Sequence, residues 1–280
     1  LGLQKIENYV GKLLSFLKIQ SVYSFMFGKN VLLKRLENKK ELLNYPDAHV
    51  DYVEEAFDIF GSYGVPKEKI FIIYNSPDTD LLLALRKELE KEPPILPPCK
   101  NRIMHIGRLI EWKRVDMLIK AHKELQSEFP DSELLIVGTG PQENYLKKLA
   151  IEIGIGDKVR FVGGVYDPRD IGKYFLSSTV YVLAGMGGIS INDAMIFGKP
   201  VICSVCDGTE KKLVYNGRNG FYFKDGDQSD LTKKLKELLS SADLIKTMGQ
   251  ESTRIIEEEI NIHTVLNGYL EAFAYVRNKK

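Results

Sequence analysis

From Asn101 onward the chain alternates short apolar, β-branched runs with segments whose apolar residues fall at helical spacing, and this alternation restricts the fold more than any other feature. The runs Arg102 to Gly107, Leu134 to Gly138, Val159 to Gly163, Val180 to Ala184, Val201 to Val205 and Phe221 to Phe223 read as strands. Between them, Val115 to Glu128, Glu143 to Ile153, Arg169 to Ser177, Ile189 to Phe197 and Glu210 to Tyr215 read as helices. Such a succession predicts an α/β architecture with a doubly wound, parallel, Rossmann-like sheet. Right-handed crossovers then put any ligand in the crevice at the carboxyl ends of the strands.

The first hundred residues hold helical patterns, one clear strand at Ile70 to Tyr74, and a Pro-rich stretch, Glu92-Pro-Pro-Ile-Leu-Pro-Pro98. Prolines remove backbone donors and interrupt regular structure, so the domain boundary is expected there. One strand makes no sheet and leaves an unpaired edge. The expectation is therefore a partial, mostly helical remnant of a second Rossmann-like domain, in a chain that starts with Leu1 and lacks an upstream portion. The predicted division is residues 1–98, then 99–262, then a C-terminal helix at 263–280 returning to the N-terminal part.

Composition narrows the functional classes. Hydrophobic residues at 44% and charged residues at 28% suit a sizeable core and exclude a disordered or low-complexity chain. With 39 Lys+Arg against 38 Asp+Glu, no overall field draws the protein to nucleic acid. No apolar run reaches the roughly 18 residues of a membrane span, and no signal-peptide pattern opens the chain, which points to the cytoplasm. Three cysteines are too few for a disulfide framework; Cys203, in an apparent buried strand, and Cys206 read as core thiols rather than a redox or zinc pair. The first 40 residues carry eight Lys/Arg and two Glu, 8 − 2 = +6, with Ile6, Val10, Leu13, Leu14 and Leu17 on one helical face. That pattern fits a helix packed on its own domain with solvated lysines, or a peripheral contact with the inner face of an anionic membrane.

Three Gly-rich turns follow strands, where exposed amides at a helix start can bind phosphate. Gly138-Thr-Gly-Pro141 fails the dinucleotide fingerprint, because Pro141 follows the second Gly and Glu143 holds the sixth position. Gly163-Gly164 is a second candidate, and a plain tight turn is the alternative for the third. Gly185-Met-Gly-Gly188 leads straight into a helix, so the amides of Gly187, Gly188 and Ile189 are expected to face the crevice. Gly107-Arg-Leu-Ile-Glu-Trp-Lys113 brings Arg108 and Lys113 to the tip of the first strand, a rigid fork and a mobile point charge suited to a diphosphate. Asp78-Thr-Asp80 sits beside Asn75-Ser-Pro77 and reads as a turn rather than a metal motif. Asp225-Gly-Asp227 lacks the Glu of a calcium loop and reads as a turn plus helix N-cap. His49, His105, His122 and His263 show no metal or triad spacing; His105, in a strand, reads as a satisfied core histidine. No G-x-S-x-G or H-E-x-x-H occurs, which removes the commonest hydrolases.

The order of the motifs adds to this. It runs G-R-L-x-x-x-K, strand-G-x-G-P, F-x-G-x-V (Phe161 to Val165), the Gly-rich turn, Asp193-Ala-Met-Ile-Phe-Gly-Lys-Pro-Val201, Asp207-Gly-Thr-Glu210 and Asn216-Gly-Arg-Asn-Gly220. In that order the sequence resembles the nucleotide-sugar-binding domain of retaining glycosyltransferases of family 4, with the GT-B fold, over about residues 101 to 262. Gly64-Val-Pro to Tyr74-Asn75 resembles the end of that family's first domain. The resemblance implies that Gly107, Arg108 and Lys113 hold the donor diphosphate, with Arg108 and Lys113 as the catalytic cations. It also implies that Asp193 bonds the ribose and that Phe161 to Tyr166, through Val165, approach the base. Glu210 is expected either to orient the donor pocket or merely to begin a helix. The family's E-x7-E turn is altered: Gly185 stands at its first position and Asp193 at its second, so the hexose contact is expected from the Gly187, Gly188 and Ile189 amides or elsewhere.

The leading expectation is thus a metal-independent retaining hexosyltransferase that needs no cofactor, uses a UDP-sugar or GDP-sugar, and acts on a glycan or lipid-linked acceptor. A non-catalytic nucleotide-sugar-binding module remains the alternative, and an epimerase ranks lower because Asp193 alone is a strong acid/base candidate.

Overall fold

The computed structural model describes residues 29–205 and 209–279. The apolar face at Ile6 to Leu17, together with Cys206 and Asp207, lies outside them. The chain forms two compact units: described residues up to Tyr74 together with Val265 onward, and Asn75–Thr264. The Pro-rich stretch lies within the second.

In the first unit, helix α1 (Lys29–Asn44) precedes strand β1 (His49–Asp51), helix α2 (Glu55–Gly61) and strand β2 (Ile70–Ile72). The lone strand expected from the sequence has a partner. β1 and β2 pair in parallel, His49 opposite Ile70 and Asp51 opposite Ile72. Ala56, Val65 and Ile70 form a small core, with Phe57, Phe60 and Leu43 packed on it. The Val265 end of the chain packs on the β2 segment of this unit: a Cβ added at Gly268 would stand 2.5 Å from Ile73 Cγ2, and the Tyr275 ring lies 5.5 Å from that of Phe71.

The second unit carries the sheet. After α3 (Thr79–Leu89) come β3 (Arg102–Ile106), α4 (Val115–Leu125), β4 (Glu133–Val137), α5 (Glu143–Glu152), β5 (Val159–Gly163), α6 (Pro168–Leu176), β6 (Val180–Leu183), α7 (Ser190–Ile196), β7 (Val201–Ser204), β8 (Gly220–Phe223), α8 (Gln228–Leu239), α9 (Ala242–Glu258) and the start of α10 (Ile262–Asn278). The six strands are parallel in the order β5-β4-β3-β6-β7-β8. This is the doubly wound sheet the alternation predicts. The expected helix Glu210 to Tyr215 is instead one 3₁₀ turn, Thr209–Lys212. Leu213 N and Val214 N both close onto Glu210 O, and Tyr215 N turns to Asn219 Oδ1, which ends the helical run there.

Local chemistry sets the element ends. Asp78, Asp167, Asp227 and Ser241 each accept a backbone N–H from the first turn of α3, α6, α8 and α9, worth about 1 kcal/mol per cap. Asp227 is thus the helix cap its motif predicts, and Asp78, expected only in a turn, caps α3. The central strands β6 and β7 are buried along their whole length, the pattern of a parallel sheet covered on both faces. Ile103, Ile136, Val182 and Ile202 meet Leu118, Leu125, Leu235 and Leu238 in one core, each side chain contributing about 1.5–3 kcal/mol. Cys203 is a buried residue of β7. At the amino edge, buried Arg102 donates to Glu133 and to the carbonyls of Ser177 and Pro97, so its charge is paired.

Candidate functional site

Strand order reverses between β3 and β6, so the crevice opens above their carboxyl ends. Its near wall is the loop 107–114. The 107–109 backbone bonds to the 137–142 turn: Gly107 N to Val137 O at 3.0 Å, Leu109 N to Thr139 O at 2.9 Å, Gln142 N to Leu109 O at 3.0 Å. A Cβ at Gly138 would stand 1.9 Å from Gly107 O, and one at Gly140 2.3 Å from Leu109 O. These two glycines therefore exist to let two backbones meet, which accounts for a G-x-G that fails the dinucleotide pattern.

The loop then reaches across to the β6 corner. Trp112 O accepts from Met186 N at 2.9 Å, and Lys113 Nζ donates to Met186 O at 2.8 Å and Gly187 O at 2.6 Å. A Cβ at Gly185 would lie 2.1 Å from Trp112 O, so the corner admits no side chain there. Arg114, in the left-handed region at φ 52°, turns the chain into α4. With the Lys113 ammonium spent on the 186 and 187 carbonyls, the N–H groups of Gly187, Gly188 and Ile189 make no hydrogen bond among the described residues. They are free donors at the start of α7.

Arg108 is exposed at the tip of β3 and has no ion pair or hydrogen bond among the described residues. Asp193 lies in the first turn of α7, partly buried and without a cation; burial pushes its carboxyl from an ordinary 3.8 up to about 6. Close by, Tyr181 Oη and Ser190 Oγ share a hydrogen bond of 2.7 Å. Burial, partly offset by the Ser190 hydroxyl and reinforced by the Asp193 charge, raises the Tyr181 phenol. Glu210 is buried on the 3₁₀ turn, and its carbonyl accepts from Val214 N at 2.8 Å and from Tyr222 Oη at 3.2 Å. Val165 is half-buried in the loop after β5, beside the exposed Tyr166.

His105 departs from the expected satisfied core histidine. Its Nδ1 donates to Val182 O at 3.0 Å, but Nε2, fully buried, has no partner among the described residues. Burial, with a smaller contribution from Lys113, holds it down to about 4 against the pull of the Val182 carbonyl, so the ring is neutral at physiological pH. No spacing signal in the sequence distinguishes a half-satisfied histidine from a satisfied one. No group of three or more His, Cys, Asp or Glu suited to a metal occurs among the described residues. Likewise no described helix is long and apolar enough to cross a membrane.

The profile of the family described as "Glycosyl transferases group 1" matches residues 86–255. An uncharacterised glycosyltransferase from Haemophilus influenzae is 31% identical over 169 residues, 59% of this chain and 46% of its own length. One from Methanocaldococcus jannaschii is 25% identical over 275 residues, 94% of this chain and 67% of its own length. The chain thus spans about half to two thirds of these relatives. The crystal structure of Anabaena Alr3699/HepE in complex with UDP superposes with a TM-score of 0.70 at 21% identity, covering 86% of this chain and 67% of that one. At that identity the likeness is one of fold, and it agrees with the sheet order above.

Proposed function

The chain belongs to the glycosyl transferases group 1 family, and from that premise we propose that it moves a hexose from a nucleoside-diphosphate sugar to a glycan or lipid-linked acceptor with retention of anomeric configuration. What supports this reading most is the corner at 185–189. Lys113 neutralises the inward carbonyls of Met186 and Gly187, which leaves three successive N–H groups free at the switch point of the sheet. Such a cradle suits two phosphates, and the Anabaena neighbour is a complex with UDP.

In the proposed reaction an acceptor hydroxyl oxygen bonds to the anomeric carbon as the C–O bond between that carbon and the β-phosphate breaks, and negative charge grows on the departing oxygen. Arg108 and the Gly187, Gly188 and Ile189 amides stabilise that charge directly, and Lys113, held on the Met186 and Gly187 carbonyls, adds its positive charge beside them. Gly107 lets the strand tip approach the diphosphate. Asp193 accepts from the ribose hydroxyls, Val165 borders the base, and buried Glu210 braces the wall behind them. No carboxylate replaces the missing family Glu at Gly185, because no side chain fits there. The acceptor proton passes to the leaving phosphate on the same face, a route that calls for neither a paired carboxylate base nor a metal.

Arg108→Ala tests the assignment. Since this exposed side chain makes no ion pair or hydrogen bond among the described residues, circular dichroism should be unchanged while radiolabelled-sugar transfer falls by ~10²- to 10³-fold. Near-normal turnover would remove the role. Calorimetry against UDP and GDP identifies the base, and donor binding by the unmodified chain without any transfer would favour the non-catalytic binding module.

A further inference from the structure

A second cationic feature lies at the opposite edge of the sheet. A cavity of about 550 Å³ opens below the amino ends of β6 and β7, lined by Arg86, Ser178, Lys199, Lys246, Arg254 and Glu257 among others. It is separated from the corner at 185–189 by roughly 13 Å, the length of a four-residue strand.

Three cations there are incompletely used. Arg86 spends Nε on Glu90 and Nη1 on Ile196 O and Thr253 Oγ1, each at 2.8 Å, while Nη2 has no acceptor among the described residues. Lys199 Nζ makes one hydrogen bond, to Ser178 O at 2.7 Å, and has no carboxylate partner there. Lys246 is exposed and also unpaired among the described residues. Arg254 is different: it is already tied to Glu251, Glu258 and Glu259. Against these stands one lining carboxylate, Glu257. Burial, and then the charge of Arg86, bring Lys199 down to about 8, with Glu90 pulling the other way. Two neighbouring cations with donors to spare, held against an open cavity, raise each other's energy until an anion enters between them.

We propose that this cavity binds the phosphate group of a small molecule, at a site separate from the donor crevice. Arg86 Nη2 offers a planar donor, Lys199 a point charge with two free N–H groups, and the volume suits a phosphorylated metabolite better than a bare ion. A protein built only to staple α3 to α7 and α9 would need the Nη1 bonds of Arg86 but not a second, unpaired ammonium.

The test is an amide-resolved NMR titration of the full chain with inorganic phosphate and, in a second arm, a hexose monophosphate, with sodium chloride holding ionic strength constant. Saturable shifts at Thr179, Gly198 and Gly249 are expected, with a dissociation constant at least tenfold weaker in Lys199→Met. The same shifts persist in Arg108→Ala, which separates this site from any failure of donor binding. Tighter binding of the ester identifies the organic moiety as part of the ligand, and equal binding identifies phosphate alone; either supports the site. Shifts confined to residues 185–189, a linear unsaturated response, or wild-type affinity in Lys199→Met would overturn it. Should Lys199→Met fail to fold, Lys246→Ala on the surface serves, with an expected loss of about threefold; wild-type affinity there is equally fatal.

Discussion

Replacing Asp193 by Asn should make the protein more stable and a poorer binder of its donor. The carboxyl has moved from 3.8 to about 6 because burial disfavours its charged form and no cation offsets it. At about 1.4 kcal/mol per unit, that displacement is a penalty of ~3 kcal/mol once the group is ionised. A carboxyl whose folded-state value lies above its unfolded one costs nothing below pH ~4. The penalty grows as pH climbs to about 6 and is complete above it. Asn carries the shape without the charge. Thermal unfolding at pH 8 should therefore show Asp193→Asn melting higher by about 6 °C, taking ~2 °C per kcal/mol for a chain of this size. At pH 4 the two proteins should melt within about 1 °C of each other. Calorimetry at pH 8 should at the same time show nucleoside-diphosphate affinity reduced about tenfold, since an amide accepts from a ribose diol less well than a carboxylate. A gain of equal size at both pH values, or a loss at pH 8, would show that the carboxyl is not strained by burial.

Other substitutions probe the walls of the crevice. Gly140→Ala drives a methyl to within 2.3 Å of a backbone oxygen, so a loss of about 1–3 kcal/mol is expected in denaturant titration, together with weaker donor binding. Lys113→Met uncovers the Met186 and Gly187 carbonyls at the phosphate cradle, and transfer should drop by at least ~10²-fold in the radiolabel assay. Excess EDTA should leave the transfer rate unchanged, because the proposed cradle neutralises the diphosphate with protein donors.

The six-stranded sheet is legible because its strands are short apolar runs, fully buried in β6 and β7, even where β5 exposes Arg160 and β8 carries aromatic residues instead of β-branched ones. The expected spans match the structure to within about a residue, as with Val159–Gly163. β1 is not legible: His49-Val50-Asp51 offers one apolar residue in three and is recognisable only through its pairing with Ile70–Ile72. The site is legible in outline. Glycines at 185, 187 and 188 and the basic pair 108 and 113 mark the two loops. What the sequence conceals is that Lys113 faces carbonyls and not the amides, that Trp112 O fills the space above Gly185, and that His105 has one bare nitrogen. These are three-dimensional approaches between β3 and β6, strands separated by more than seventy residues of chain, and no local pattern encodes them.

The interlock between the turn after β3 and the corner after β6 has a bearing on how this scaffold can diversify. Neither turn retains its shape without the other, because each supplies the atoms that fill the other's empty space. A chimaera that borrows one of them from another glycosyltransferase must borrow both, and natural variation at 112–113 and at 185–187 should be inherited as a pair.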